Sequence, residues 1–389
     1  MSKRQVYLDY AAATPMDSRV IASMEPFLKE KFYNPSASSL KAKEVKKDLA
    51  LARSQVASLL GSKSTEIIFT AGGTEANNLA ITGIASNYPK TEIIISALEH
   101  ESVLAPARQL KKHGWTIKEV KPDPLGLINI SEIVNLVTDK TVLVSVMYAN
   151  NEVGTVQPIK QLAQHLQKIK TKRKLAGNKT PLYLHTDGAQ AANYLDIHVN
   201  QLGIDLMTLN GGKIYGPKQS GVLFIKTGVV ISPIIHGGGQ ERGLRSGTEN
   251  TAACIGFATA LQITSNLRKD ETYRLGQLQK YFISSLENKI PEIQINGSMK
   301  YRLPNNIHIT LPGTDNEKLL YGLEEKGVIC AAGSACSASS EEASHVLLSM
   351  GLSEAEARAS IRISMGRDTT KSDVDQFLIS LESLLTDKL

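Results

Sequence analysis

Between residues 65 and 225, short runs dominated by apolar and β-branched side chains alternate with longer helix-like segments. The strand candidates lie at 66–70, 92–96, 142–147, 182–186, 206–209 and 221–225, and helix-like segments such as 77–88, 103–113 and 159–169 fall between them. Short apolar strands separated by helices predict a mainly parallel sheet covered on both faces, an α/β architecture. The alternation weakens after about residue 256. Two further strand candidates, 306–311 and 327–331, are separated by helices there, which suits a smaller α+β unit. The expected division is a large domain over 16–255 and a small domain built from 1–15 plus 256–389.

The length fits this picture, since 389 residues exceed the usual ~100–200 of one domain. Hydrophobic residues make up 42% of the chain and charged residues 21%, the ordinary globular range. No apolar run approaches the ~18–20 residues of a membrane helix, and the first residues carry neither an apolar signal core nor an amphipathic leader. Three cysteines (Cys254, Cys330, Cys336) argue against a disulfide framework and for a reducing compartment, so a cytoplasmic location is expected. Cys254 and Cys330 sit in apolar runs and read as small buried hydrophobes. The net charge is +6, with the densest basic stretch at 168–179. That stretch holds Lys170, Lys172, Arg173 and Lys174 but no interleaved aromatics, so a solvated helix end and loop is expected there, not a nucleic-acid surface.

In open α/β sheets, ligands bind beyond the carboxyl ends of the strands. After 66–70 comes Ala71-Gly72-Gly73-Thr74 and then a helix, a turn whose N–H groups and Thr74 hydroxyl suit a phosphate. His100 comes after the strand at 92–96 and suits stacking on an aromatic ligand or proton transfer. Asn150 and Asn151 lie beyond 142–147 and can clamp an oxygen. Asp187, with Gln190 three residues on, lies beyond 182–186; an acid at a buried strand end needs a cation or strong donor, such as a protonated ring nitrogen. Beyond 206–209 comes Asn210-Gly211-Gly212-Lys213, which places a candidate Schiff-base lysine among glycines. Each feature alone has a bland structural reading. Together they are the groups a pyridoxal-phosphate site needs.

The motifs YLDYAAATP, FYNPSA, NNEVGTVQ, KIYGPK, HGGGQERGLRSGT, GSACSAS and ASIRISMGR succeed one another nearly end to end. In them the chain resembles the class V aminotransferase superfamily of pyridoxal-phosphate enzymes, fold type I, and within it the NifS/IscS-type cysteine desulfurases. The resemblance implies that Lys213 forms the Schiff base with pyridoxal 5'-phosphate. It implies that Asp187 holds the protonated pyridine nitrogen, Gln190 the ring hydroxyl, and that His100 stacks on the ring. Gly73, Thr74, Asn210 and the Gly212 backbone would hold the phosphate, with Thr248 reaching the phosphate of a neighbouring subunit in a homodimer. Asn151 and Arg362 would hold the cofactor and the carboxylate of L-cysteine. Cys336, among small residues, would take the substrate sulfur as a persulfide, release alanine and pass the sulfur to an acceptor such as an iron–sulfur scaffold or a tRNA-thiolation protein. No intrinsic metal is implied, although Cys336 could ligate a transient iron–sulfur cluster with a partner.

The chain departs from the family's pattern where Ser-x-His usually precedes the lysine, since Asn210-Gly211-Gly212 stands there. A lost charge-assisted bond is worth about 1.5–3 kcal/mol, or one to two decades of cofactor retention if uncompensated. Gly188 and Gln240 also replace the usual alanine and histidine. The expectation is a rebuilt phosphate cup. The competing readings are selenocysteine lyase or another β-elimination enzyme, and a partner-binding homologue with weakened cofactor binding.

Overall fold

The computed structural model describes residues 5–333 and 343–386. The chain opens with a two-residue strand, β1 (Val6–Tyr7), and then builds a seven-stranded sheet. Its strands in chain order are β2 (Ile67–Thr70), β3 (Glu92–Ser96), β4 (Thr116–Val120), β5 (Thr141–Ser145), β6 (Tyr183–Asp187), β7 (Leu206–Asn210) and β8 (Gly221–Ile225). Across the sheet the order is β2-β8-β7-β6-β5-β3-β4. Only β8 runs against its neighbours; every other pairing is parallel. Because β8 is antiparallel to both β7 and β2, the carboxyl end of β2 emerges on the same edge as those of β3, β5, β6 and β7. That edge carries the candidate groups. The chain leaves β3 outward to β4 and returns past it to β5, which opens a crevice between the β3 and β5 carboxyl ends.

Two apolar clusters sandwich this sheet, consistent with strands that are buried on nearly every position. The helix Leu40–Leu60 buries Ala42, Val45, Leu49, Ala52, Val56 and Leu60, a three- and four-residue spacing, and packs on the long helix Thr251–Lys289. Ser39 caps its first turn, and Gly61 ends it in a left-handed turn where a Cβ would collide with the His198 ring at 2.0 Å. A third apolar cluster covers an antiparallel sheet of β9 (Gln294–Ile295), β10 (Asn306–Thr310) and β12 (Ser360–Ser364), and the parallel pair of β1 with β11 (Val328–Ile329). Val6 and Leu8 belong to this cluster, so the N-terminal segment packs with the C-terminal part of the chain. No described helix is long and apolar enough to cross a membrane.

Three expectations are corrected. Thr116–Val120, half-exposed and absent from the predicted strands, is the edge strand β4. The strand expected at 327–331 stops at Ile329; Cys330 lies beyond it against the third cluster, where burial pushes its thiol up to about 12. The basic stretch is not wholly solvated. The helix Ile159–Leu175 carries Arg173 into the protein, where its guanidinium donates to the carbonyls of Thr138, Thr141, Thr180 and Pro181. It closes the gap between the helix end and the entries to β5 and β6, a role that a charged residue in a basic run does not announce.

Candidate active site

The parallel strands deliver their loops into one cleft lined by His100, Asn151, Asp187, Gln190, Asn210, Lys213, Arg362 and the Gly73–Thr74 turn. Lys213 ends the short turn Gly211–Lys213 beyond β7, and its amine donates to the carbonyls of Ala11 and Ala12 at 2.8 and 2.5 Å. The N-terminal segment thus folds over the lysine. Thr14 locks it there, donating from its N–H and hydroxyl to Gly212 O and accepting from Tyr215 N–H at 2.8 Å. Gln190 Nε2 donates to the Ala11 carbonyl at 2.9 Å.

Asp187 closes β6 and is buried. Its Oδ1 accepts from Ala189 N–H at 2.9 Å and its Oδ2 from Asn77 Nδ2 at 2.7 Å. Among the described residues it forms no salt bridge, so a buried carboxylate faces the cleft without a cation. Asn77 Nδ2 also donates to Ser102 Oγ at 2.7 Å, and the Ser102 N–H donates to His100 Nδ1 at 3.1 Å. That last bond puts the ring proton of neutral His100 on Nε2. Burial holds the imidazole below its usual range, opposed by nearby Asp187, so the ring stays neutral.

The helix Gly73–Ala85 follows Gly72, whose φ of 138° suits glycine, and no side chain among the described residues caps it. Its first N–H groups therefore lack a side-chain acceptor. The Asn210 amide lies beside them, Nδ2 being 3.4 Å from the position of a Cβ at Gly73. Asn210 Oδ1 is engaged elsewhere, accepting from Gly212 N–H at 3.0 Å. The Gly212 carbonyl accepts from Thr14 and its N–H donates to Asn210, and the position adds space to the cleft. A Cβ at Gly212 would meet nothing closer than 3.5 Å.

Arg362, on β12, is fully buried at the far wall. Nη2 donates to Asp9 Oδ1 at 2.6 Å and Nη1 to the Asn151 carbonyl at 3.1 Å, while Nε has no acceptor among the described residues. A buried guanidinium with donors to spare suits a carboxylate. Thr248 is exposed on the loop after β8 and does not reach the cleft of its own chain. Cys336 lies outside the described residues. Chain on both sides of it is fixed at the cleft: Ala331 pairs with Arg362, and His345 Nε2 donates to the Glu99 carbonyl at 3.1 Å.

These groups fit pyridoxal phosphate: a primary amine, a buried acid in no salt bridge among the described residues, a helix start that no described side chain caps beside the Asn210 amide nitrogen, and room over Gly212. The class-V aminotransferase family model matches residues 6–377. The chain belongs to the class-V aminotransferase family. A cysteine desulfurase IscS of Clostridium botulinum is 41% identical over 386 residues, covering 98% of this chain and 94% of that protein. One from Methanosarcina thermophila is 38% identical over 377 residues, covering 96% and 90%. Among solved structures, a NifS-like protein superposes with a TM-score of 0.90 at 32% identity, covering 98% of this chain and all of that one. SspA in complex with cysteine gives 0.80 at 34%, covering 92% and 98%. Pyridoxal phosphate is the cofactor of this class-V family, which agrees with the chemistry of the cleft.

Sequence reasoning missed the Ala11 and Ala12 carbonyls, Thr14, Asn77, Ser102 and Glu99. Glu99 is completely buried, with Oε1 accepting from Met147 N–H at 2.6 Å and Oε2 without a partner among the described residues; burial, and next the charge of Asp187, raise its carboxyl well above the usual range. The alanines contribute only backbone, which no residue pattern marks. Glu99 stands beside His100 in the sequence, and that adjacency was the one available signal.

Proposed function

We propose that this chain is a pyridoxal-phosphate-dependent cysteine desulfurase. One observation carries the reading: the Lys213 amine, the Asp187 carboxylate and the Arg362 guanidinium line one cleft to which the chain is fixed on both sides of Cys336. Lys213 holds the cofactor through its amine, and Asp187 supplies the anion for a ring N–H. The Gly73 and Thr74 N–H groups, the Thr74 hydroxyl and the Asn210 amide take the phosphate, while Gln190 and Asn151 contact the ring. Bound there, pyridoxal phosphate supplies an electron sink for a substrate carbon that loses a proton. Arg362 takes the substrate carboxylate, and His100 presents its Nε2 proton to the cleft. The Cys336 thiolate forms a sulfur–sulfur bond as the substrate Cβ–S bond breaks; Cβ gains a proton and the carbon deprotonated earlier regains one, which gives alanine and an enzyme persulfide.

Thr248 faces outward in its own chain, which supports a homodimer in which it serves the neighbouring cleft. The sulfur acceptor is an iron–sulfur scaffold or a tRNA-thiolation protein in the cytoplasm, and Cys336 shares a transient cluster with it. The division into residues 16–255 and 1–15 plus 256–389 is supported by the packing of Val6 and Leu8 into the third cluster. Adding L-cysteine should yield alanine, and sulfide once a reductant is present, with a persulfide mapped to Cys336. Equal turnover of cysteine by Cys336→Ser would overturn the reading in favour of simple elimination.

A further inference from the structure

The loop 236–250 includes backbone that L side chains rarely adopt. Glycines 239, 243 and 247 take φ of 77°, 79° and 110°, but Glu241 and Arg242 take 47° and 60° with side chains attached. Successive left-handed non-glycine residues persist only where surrounding contacts over-determine them. Here the contacts are specific. The buried Glu241 carboxylate accepts from both Arg53 Nη groups at 2.5 and 2.7 Å and from the Phe69 N–H at 2.9 Å. Arg53 lies over the Phe69 ring and donates to the Ile67 carbonyl, to which Arg242 also donates. Further along, Arg245 pairs with Glu75 at 3.0 Å, and Glu75 Oε2 accepts from Ala71 N–H. The loop is therefore fastened to β2 and to the turn just past it, and Thr248 stands three residues beyond the last fastening.

We infer that Glu241, held by Arg53, is a positioning residue that aims Thr248 at the cofactor phosphate of the neighbouring subunit. This rests on the dimeric pyridoxal-phosphate reading above. Left-handed backbone at Glu241 sets the direction in which the loop continues past its contact with β2, and the Arg53 clamp holds that direction against relaxation. The effect appears in the partner's site, although every pinning contact lies within one chain.

Mixed dimers test it by the rate of cofactor release, measured as the loss of visible absorbance on dilution into a cofactor scavenger. One subunit carries Lys213→Ala, so the only lysine-bound cofactor is in the other. With Glu241→Gln placed on the Lys213→Ala subunit, release from the intact site should accelerate about tenfold, equivalent to ~1.4 kcal/mol. With Glu241→Gln placed on the cofactor-bearing subunit instead, release should stay near the unmodified mixed dimer. Arg53→Met should repeat the pattern, and unchanged melting temperatures exclude a folding defect. Acceleration only when the change is in the cofactor-bearing subunit, in both arrangements equally, or in neither, overturns the inference and leaves the function reading intact. Dimers that never acquire visible absorbance overturn both.

Discussion

Placing a histidine at Gly212 examines the phosphate cup from the inside. A Cβ there would meet Asn210 Oδ1 at 3.5 Å and two Lys218 carbons at 3.6 and 3.8 Å, all ordinary contact distances, and the backbone is not left-handed. Gly211 is the opposite case, because a Cβ would sit 2.0 Å from Ser220 Oγ and 2.9 Å from the Pro217 carbonyl. Gly212→His should therefore fold normally, whereas Gly211→Ala should lose about 1–3 kcal/mol to overpacking. An imidazole donor beside the Asn210 amide adds about 1.5–3 kcal/mol of bonding to a charged phosphate. The Kd for pyridoxal phosphate should then fall roughly ten- to hundredfold. Fluorescence titration of cofactor-free protein measures it, with thermal melts of both variants as the fold control. A Gly212→His protein that melts like the parent and binds the cofactor no more tightly would refute the account of a cup left open at this position.

Four other outcomes are expected. Lys213→Ala should abolish the visible absorbance of the lysine-bound cofactor, while Cys336→Ser keeps it and loses persulfide formation; a spectrum and a persulfide assay read both. Arg362→Lys replaces a planar fork by a point charge, so KM for cysteine should rise about tenfold or more in steady-state kinetics. Burial lowers His185 to about 4 and His308 to about 3, so the unfolded chain takes up these protons first and stability falls as pH drops below the ordinary 6.5. Glu99, raised by burial, binds its proton in the folded state first and opposes that loss, so Glu99→Gln should widen the drop in melting temperature between pH 7 and pH 5.

The sheet was legible because its strands are buried on both faces, which leaves apolar runs such as Ile93–Ile95 that only a covered sheet can hide. Site residues were legible for a related reason: a parallel sheet puts its loops on one edge, so Asp187, Asn210 and Lys213 stand out by their place at or just past a strand's carboxyl end. β4 escaped because an edge strand with exposed Thr116 and Glu119 carries a weak apolar signal. Arg173 and Glu99 were illegible as buried groups, since what makes a buried charge tolerable comes from carbonyls and amides brought in by distant chain. The N-terminal lid over Lys213 was invisible because the groups it offers the lysine and Gln190 are main-chain carbonyls of Ala11 and Ala12.

That lid also orders the birth of the protein. The strand β1 that anchors it pairs with β11, made about 320 residues later, and translation at ~5–20 residues per second separates the two by tens of seconds. During that interval the seven strands around Lys213 are all synthesised, yet the segment bearing Ala11 and Ala12 has no partner strand to dock on. A nascent chain therefore keeps this segment over its lysine by the Thr14, Ala11 and Ala12 contacts alone, without the β1–β11 anchor, and the cleft is complete only once Arg362 on β12 has been made. Cofactor capture is thereby deferred to a full-length polypeptide, and a ribosome-stalled fragment ending before β11 should carry the sheet without a closed site.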